Sequence, residues 1–379
     1  MRFEGFEEEW KDKKLGEITS WSSGGTPPKD NPLFWNGDIP WISASSMRGL
    51  IYSDSELKIT KAGLKRGSKL ASKGTLLILV RGSMLFNKIP IGIASKDVAF
   101  NQDVKSVAVN DYSTSEYILN WFMAFESKIL NMVTGTGIGA GKLDLQELKA
   151  LEVKIPSLLE QQNIASFLSL LNERIQTQSK IIQRLETSIR ILRENLFTQK
   201  YRFKDDRGNN FPDWQIKKLD EVATKKSSNI SANKIEENFG KYIIYGASGI
   251  LKCVDFYEEE NDYISIVKDG AGVGRLFYCE GKSSVLGTME IIKPINGVST
   301  YFLFCLLSTI DFTQYVTGST IPHIYFKDYR NENFNIPCVE EQRKISKVLS
   351  SLYNKIQIGK VILKKYENQK KHLLTNLFI

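Results

Sequence analysis

Histidine is nearly missing from this chain: His323 and His372 are the only two in 379 residues. A histidine-based metal site or a catalytic triad has little to be built from. Cysteine is sparse too. Cys253, Cys279, Cys305 and Cys338 never form the close pairs of a zinc site. Their apolar neighbours suit reduced core thiols. Long apolar runs are also missing. The longest, Leu76 to Val80 and Tyr301 to Leu307, fall far short of the ~20 residues of a membrane helix. The opening stretch Met1 to Trp10 is acidic, so no leader is expected. These absences point to a cytoplasmic protein without membrane contact.

Four stretches resemble enzyme motifs and fail on detail. Asp269-Gly270-Ala271-Gly272-Val273-Gly274 is close to a nucleotide-cofactor loop. A methyltransferase loop would need its acid at Lys268, and a helix should follow. Leu276 to Cys279 reads as a strand instead, so a glycine hairpin turn is expected. Asn31-Pro32-Leu33-Phe34 carries Leu33 where an adenine methyltransferase has a second proline, and reads as a turn. Gly141-Lys142-Leu143 and Gly281-Lys282-Ser283 lack the earlier glycine of a phosphate loop, since Thr136 and Leu276 stand there. No catalytic constellation and no cofactor site emerge.

What the chain has is balance and repetition. Hydrophobic content of 42% and charged content of 25% are ordinary globular values, and the length suits two or three domains. The net charge of +8 favours an acidic partner such as nucleic acid. Near Ile155 the chain reads Ile-Pro-Ser-Leu-Leu-Glu-Gln-Gln-Asn-Ile. Near Ile336 it reads Ile-Pro-Cys-Val-Glu-Glu-Gln-Arg-Lys-Ile. Each copy opens a long helix, and each follows a variable region that begins Trp-x-x-x-Lys-Leu, at Trp10 and again at Trp214.

Apolar residues in the first helix fall at Ile164, Leu168, Leu171, Ile175, Ile182, Leu185, Ile189, Leu192 and Leu196, with Gln178 in the same series. The second helix places Ile345, Leu349, Leu352, Ile356, Gly359, Leu363, Tyr366, Lys370, Leu373 and Leu377 in the same phase. Steps of 4, 3, 4, 3 make a coiled-coil seam. The first helix opens with Ser157 and Glu160 spaced as a capping box. Cys338 and Glu341 make a weaker cap. Two matching seams in one chain predict an intramolecular antiparallel coiled coil; the alternative partner for each seam is a second subunit.

The variable regions read as short strands, among them Leu76 to Val80, Ile91 to Ala94, Val104 to Val109, Tyr263 to Val267, Leu276 to Cys279 and Met289 to Ile292. A helix near Glu116 to Leu130 matches one near Thr300 to Ser308. Each precedes a Thr-Gly loop, at Thr134-Gly135-Thr136-Gly137 and Thr317-Gly318-Ser319-Thr320. The fold class expected is α+β: two mixed α/β domains, at residues 1–155 and 213–336, with pseudo-twofold symmetry. The helices take 156–200 and 337–379, and a charged, turn-rich linker occupies 201–212.

The two Ile-Pro…Glu-Gln helix openings, the Trp10 and Trp214 starts, Phe211-Pro212-Asp213-Trp214 and Asn101-Gln102-Asp103-Val104 carry a resemblance over the whole length. The chain resembles the specificity subunit of type I restriction–modification systems. The resemblance implies a non-catalytic subunit that reads a split sequence in double-stranded DNA. It implies two modification (methyltransferase) subunits that use S-adenosylmethionine, and restriction subunits that use ATP and Mg. It also implies that the coil sets the gap between half-sites. The other readings are a coiled-coil scaffold and a stand-alone DNA-binding protein.

Loop donors are the expected DNA contacts. In the first region these are Ser45, Arg48, Arg81, Ser83, Lys88, Thr134 and Thr136. In the second they are Tyr245, Ser248, Lys268, Arg275, Lys282, Ser319 and His323. Glycine-flanked Arg81 and Arg275 stand out. Arg174, Arg184, Arg190, Lys355 and Lys364 on the helices are candidates for docking modification subunits.

Overall fold

The computed structural model describes residues 2–137 and 139–378. Two compact units emerge. The first takes the chain up to Ser179 and again from Ile362; the second is Lys180–Val361.

In each unit the ends of the variable region are stitched together. Lys11–Lys14 pairs antiparallel with Glu152–Ile155, Lys11 facing Ile155. Gln215–Lys218 pairs antiparallel with Asn333–Ile336, Gln215 facing Ile336. The Trp-x-x-x-Lys-Leu start and the Ile-Pro helix opening therefore meet as two edges of one ribbon. A one-turn helix follows each start, Leu15–Ile18 and Leu219–Val222, and its third residue caps it. Glu17 accepts the Lys14 backbone N–H at 3.1 Å and Glu221 accepts that of Lys218 at 2.6 Å.

Each region is built around a central sheet, antiparallel throughout except that Ile51–Tyr52 pairs parallel with Ile91–Ala94 in the first. In the first unit Thr19–Ser23, Val104–Val109, Leu76–Leu79, Ile91–Ala94 and Ile51–Tyr52 lie side by side in that order. In the second the order is Ala223–Ser227, Met289–Pro294, Tyr263–Val267 and Leu276–Cys279. Leu76–Leu79 and Tyr263–Val267 are buried at every position, which explains their unbroken apolar runs: both faces are covered. A second sheet in each unit holds a parallel pair, Trp35–Ile42 with Val98–Phe100 and Tyr242–Gly246 with Ser283–Val285. The helices Ser115–Ala124 and Thr300–Leu307 pack on the central sheets. Thr114 and Ser299 cap them by accepting backbone N–H groups of Tyr117 and Phe302.

The long helices run Leu158–Phe197 and Val339–Leu377, each about 60 Å at 1.5 Å per residue. In the first unit Ile164, Leu168 and Leu171 share a core with Leu373, Leu374 and Leu377. In the second, Leu196, Ile189 and Leu192 share one with Ile345 and Leu349. Early residues of one helix meet late residues of the other, so the pair is antiparallel and lies within one chain. Every expected seam position is buried or half-buried, Leu185, Ile182, Leu352, Ile356 and Leu363 included, as a 3.5-residue repeat requires. Gly359 is buried, and Lys370 sits half-buried in the seam. Burial draws the Lys370 pKa down, opposed by Glu126.

Two expectations need correction. Ser157 Oγ does accept the Glu160 backbone N–H, at 3.4 Å. The Glu160 carboxylate, however, does not return to the cap; it turns inward, as described below. The cysteines are not all core residues either. Cys279 and Cys305 are buried, Cys338 is intermediate and Cys253 is exposed. Burial pushes the Cys279 and Cys305 thiols up to about 12, so neither is a nucleophile at neutral pH.

Candidate nucleic-acid interface

Each helix opening locks its unit with the same atoms. Glu160 is fully buried. Its two oxygens accept a fork from Arg2, Nε to Oε1 and Nη2 to Oε2, both 2.9 Å, and Oε2 also accepts Trp10 Nε1 at 3.2 Å. Glu341, also fully buried, accepts Arg202 Nε at 3.2 Å and Nη2 at 2.8 Å, with Trp214 Nε1 at 2.9 Å. The carboxylates raise both guanidinium pKa values through these hydrogen bonds. A buried carboxylate is tolerated only when paired and hydrogen-bonded in this way.

The neighbouring glutamine does the second half. Gln161 donates to Pro156 O at 3.0 Å and accepts the Thr114 backbone N–H at 3.1 Å. Gln342 donates to Pro337 O at 3.0 Å and accepts the Ser299 backbone N–H at 3.1 Å. The Ile-Pro…Glu-Gln motif is thus a clamp. Its proline carbonyl, glutamate and glutamine tie the long helix to the start of the unit and to the cap of the shorter helix. The only sequence sign of the missing partner was Arg-Phe before each tryptophan, at Arg2-Phe3 and Arg202-Phe203.

At the far end of each central strand lies a small ledge of three segments, a three-stranded sheet in the first unit and a pair of isolated bridges in the second. In the first unit Thr134 faces Lys142 and Lys142 faces Arg81. In the second Thr317 faces His323 and His323 faces Asp269. The two ledges correspond bond by bond. Leu143 N donates to Val80 O and Ile324 N to Lys268 O, both at 2.9 Å. Val80 N donates to Asp103 O at 2.8 Å and Lys268 N to Thr288 O at 3.0 Å. Thr134 Oγ1 donates to Lys142 O at 3.3 Å, and Thr317 Oγ1 to His323 O at 3.4 Å. The Asn-Gln-Asp-Val segment supports the first ledge: Asn101 Oδ1 accepts the Asp103 and Val104 N–H groups.

The register places the expected contact residues as follows. Arg81, Ser83, Thr134 and Thr136 gather at the first ledge. Exposed Lys142, read from sequence only as a failed phosphate loop, joins them, and Lys105 lines the same concavity. Thr136 Oγ1 donates to Ala140 O at 2.8 Å and, like Thr134, spends its hydroxyl holding the loop. Ser45 and Arg48 lie on and just after the turn Ala44–Ser46, and Lys88 follows the turn Ser83–Phe86. All three are exposed, and no strand pairing joins them to the ledge.

In the second unit Lys268, His323 and Ser319 gather at the ledge. Arg275 closes the glycine turn, and its Nη1 donates to Ala247 O at 2.9 Å, which draws in the turn carrying Ser248. The turn is the expected hairpin, with Gly270, Gly272 and Gly274 all at positive φ. Two residues are elsewhere. Tyr245 is buried in a core cluster, where burial pushes its hydroxyl up to about 12. Lys282 sits at the opposite end of the hairpin, 3.7 Å from Glu260. The partner of Arg81 in register is Asp269, not Arg275.

Among the described residues no group of His, Cys, Asp and Glu side chains could hold a metal ion. None of their helices is long and apolar enough to cross a membrane.

The family model for the type I restriction modification DNA specificity domain matches twice, over residues 7–187 and 212–368. The chain belongs to that family. Both matches run from just before a tryptophan start into a long helix, so each holds one ledge and the tryptophan, glutamate and glutamine of one clamp, while the clamp arginines Arg2 and Arg202 lie just before the matched stretches. A relative, the type I restriction enzyme MjaIX specificity subunit of Methanocaldococcus jannaschii, is 26% identical over 92% of this chain and 88% of its own. The EcoR124I/EcoR124II specificity subunit of Escherichia coli is 35% identical over 44% of this chain and 42% of its own. The solved S subunit of a type I restriction–modification system from M. genitalium has the same fold. Its TM-score is 0.71 at 18% identity, over 100% of this chain and 97% of that one.

Proposed function

We propose that this chain is the non-catalytic DNA-recognition subunit of a type I restriction–modification complex. Each half reads one part of a bipartite target in double-stranded DNA. The observation that carries this is the repeated frame with unlike ledges: the clamps use the same bonds, while the positions held by Arg81 and Lys142 in one half are held by Asp269 and His323 in the other. A scaffold that only dimerised would have no use for two chemically different surfaces on equivalent positions.

The recognition domains are residues 1–155 and 213–336, the linker 201–212, and the helices 156–200 and 337–379. The helix pair sets the gap between half-sites. Its exposed arginines and lysines, with Arg174, Arg184 and Arg190 on one helix and Lys355 and Lys364 on the other, dock two modification subunits. Those subunits bring S-adenosylmethionine and methylate adenine at N6. Restriction subunits bring ATP and Mg. Arg81, Ser83, Lys142, Lys268, Ser248, Arg275, Ser319 and His323 are the proposed DNA-facing set, with Ser45, Arg48 and Lys88 as outlying phosphate contacts. The test is genome-wide N6-methyladenine mapping with and without the chain. Loss of one bipartite motif on deletion supports the reading. An unchanged methylome contradicts it.

A further inference from the structure

We infer that the register position shared by Arg81 and Asp269 is a specificity determinant with opposite chemistry in the two halves. Arg81 reads a guanine, and Asp269 reads the exocyclic amino group of a cytosine. This rests on the DNA-reading proposed above and goes beyond it by assigning a base class to one residue in each half.

At the first ledge the paired positions hold two donors, Arg81 and Lys142. Arg81 and Lys142 are exposed neighbours across two strands. Arg81 makes no ion pair within 4.0 Å among the described residues. A free guanidinium presents a planar fork that matches the O6 and N7 acceptors of guanine.

At the second ledge the position of Arg81 holds a carboxylate, Asp269. Asp269 has Lys268 Nζ 3.9 Å away and keeps 40% of its side chain exposed. His323, beside it in the bridge, has Nδ1 3.2 Å from Ile321 O. A carbonyl can only accept, so Nδ1 is the donor in this contact. Gly318 makes room for the ring: it sits at φ +88°, and a Cβ there would lie 2.9 Å from His323 Nδ1. A carboxylate on a surface that meets phosphates costs affinity by repulsion. It is compatible with DNA binding where it faces a donor; the major groove offers amino donors at cytosine N4 and adenine N6, and the N7 acceptor beside adenine N6 repels a carboxylate, which leaves cytosine. Lys268 offsets its charge toward the backbone.

The experiment uses the full chain assembled with its modification subunits on a randomised duplex library, reading which sequences become methylated. Wild type is expected to give a guanine in one half-site and a cytosine in the other. Arg81→Gln should relax the guanine alone by about 5- to 150-fold, and Asp269→Asn the cytosine alone by a similar factor. Asp269→Asn is close to isosteric, and retained selection of the other half-site shows that the variant is folded. A variant that weakens all sequences equally, or leaves both positions unchanged, overturns the assignment while the DNA-reading stands. Wild-type methylation without any sequence preference overturns both.

Discussion

The clamps and the ledges lie in the same two units, and they behave oppositely. At the clamps the repeat keeps identity: Arg2, Trp10, Glu160 and Gln161 are matched by Arg202, Trp214, Glu341 and Gln342, with the same bonds. At the ledges it keeps only the backbone. The threonine hydroxyl, the bridge pattern and the supporting N–H bonds recur, while Arg–Lys becomes Asp–His. A buried charge tolerates one arrangement of partners, so the frame is held by chemistry that cannot drift freely. An exposed strand position is held by its backbone, so its side chain is free to change target. The difference separates what makes the fold from the surface proposed to select the DNA.

The comparison can be broken at the clamp first. Glu341→Ala leaves Arg202 and Trp214 without their acceptor and should cost about 3–5 kcal/mol. Glu160→Ala should cost the same in the first unit. Hydrogen exchange resolved by unit would check this. Protection should fall in the mutated unit's Gln215–Lys218 and Asn333–Ile336 ribbon, and equal loss of protection in both units would refute separate clamps. At the seam, Leu349→Ala should cost about 2–5 kcal/mol in urea unfolding, because Leu349 is fully buried. Half-buried Leu185→Ala should cost less. Equal losses would mean that the seam is not packed as described.

Ledge changes should leave stability alone. Arg81→Ala should alter the unfolding midpoint by no more than about 0.5 kcal/mol, as exposed substitutions do. Its cost should appear as about 1–3 kcal/mol of lost discrimination at one base. A large stability loss would make Arg81 part of the frame.

The smallest effect sharpens the contrast by pH. Glu259 is buried, which alone would raise its carboxyl. Hydrogen bonds from Lys226, at 2.7 Å, and from Lys293 outweigh burial and hold it below the usual carboxylate range. A depressed folded pKa gives stability that is present above the unfolded pKa and lost as pH falls through the folded one. Both lysines are about half exposed, so screening keeps the effect small. Glu259→Gln should flatten the acid limb of the second unit's melting curve. An acid limb identical to wild type would show that the cluster does not contribute.

Much of this was legible in the sequence. The seam was, because a 3.5-residue period survives Gln178, Gly359 and Lys370. The central strands were, because burial on both faces leaves an unbroken apolar run such as Leu76–Leu79. The clamp was not: Glu160 three residues after Ser157 looks like a cap, and its partner Arg2 is 158 residues away. The ledge correspondence was hidden by loop length. The connection from Leu79 to Ile91 is longer than that from Val267 to Leu276, so Arg275 drew notice as the glycine-flanked arginine while the register pairs Arg81 with Asp269. Tyr245 and Lys282 had suitable chemistry, but only packing and hairpin geometry tell a buried tyrosine or a distant turn from a ledge.

The central claim is that a common frame carries interchangeable ledges. Its most direct test exchanges them in one chain, Arg81→Asp with Lys142→His and Asp269→Arg with His323→Lys, and maps methylated sequences of the assembled complex. The account predicts retained methylation at the same gap, with the base preference exchanged at one position in each half-site. An exchanged chain that methylates with the original motif would contradict it.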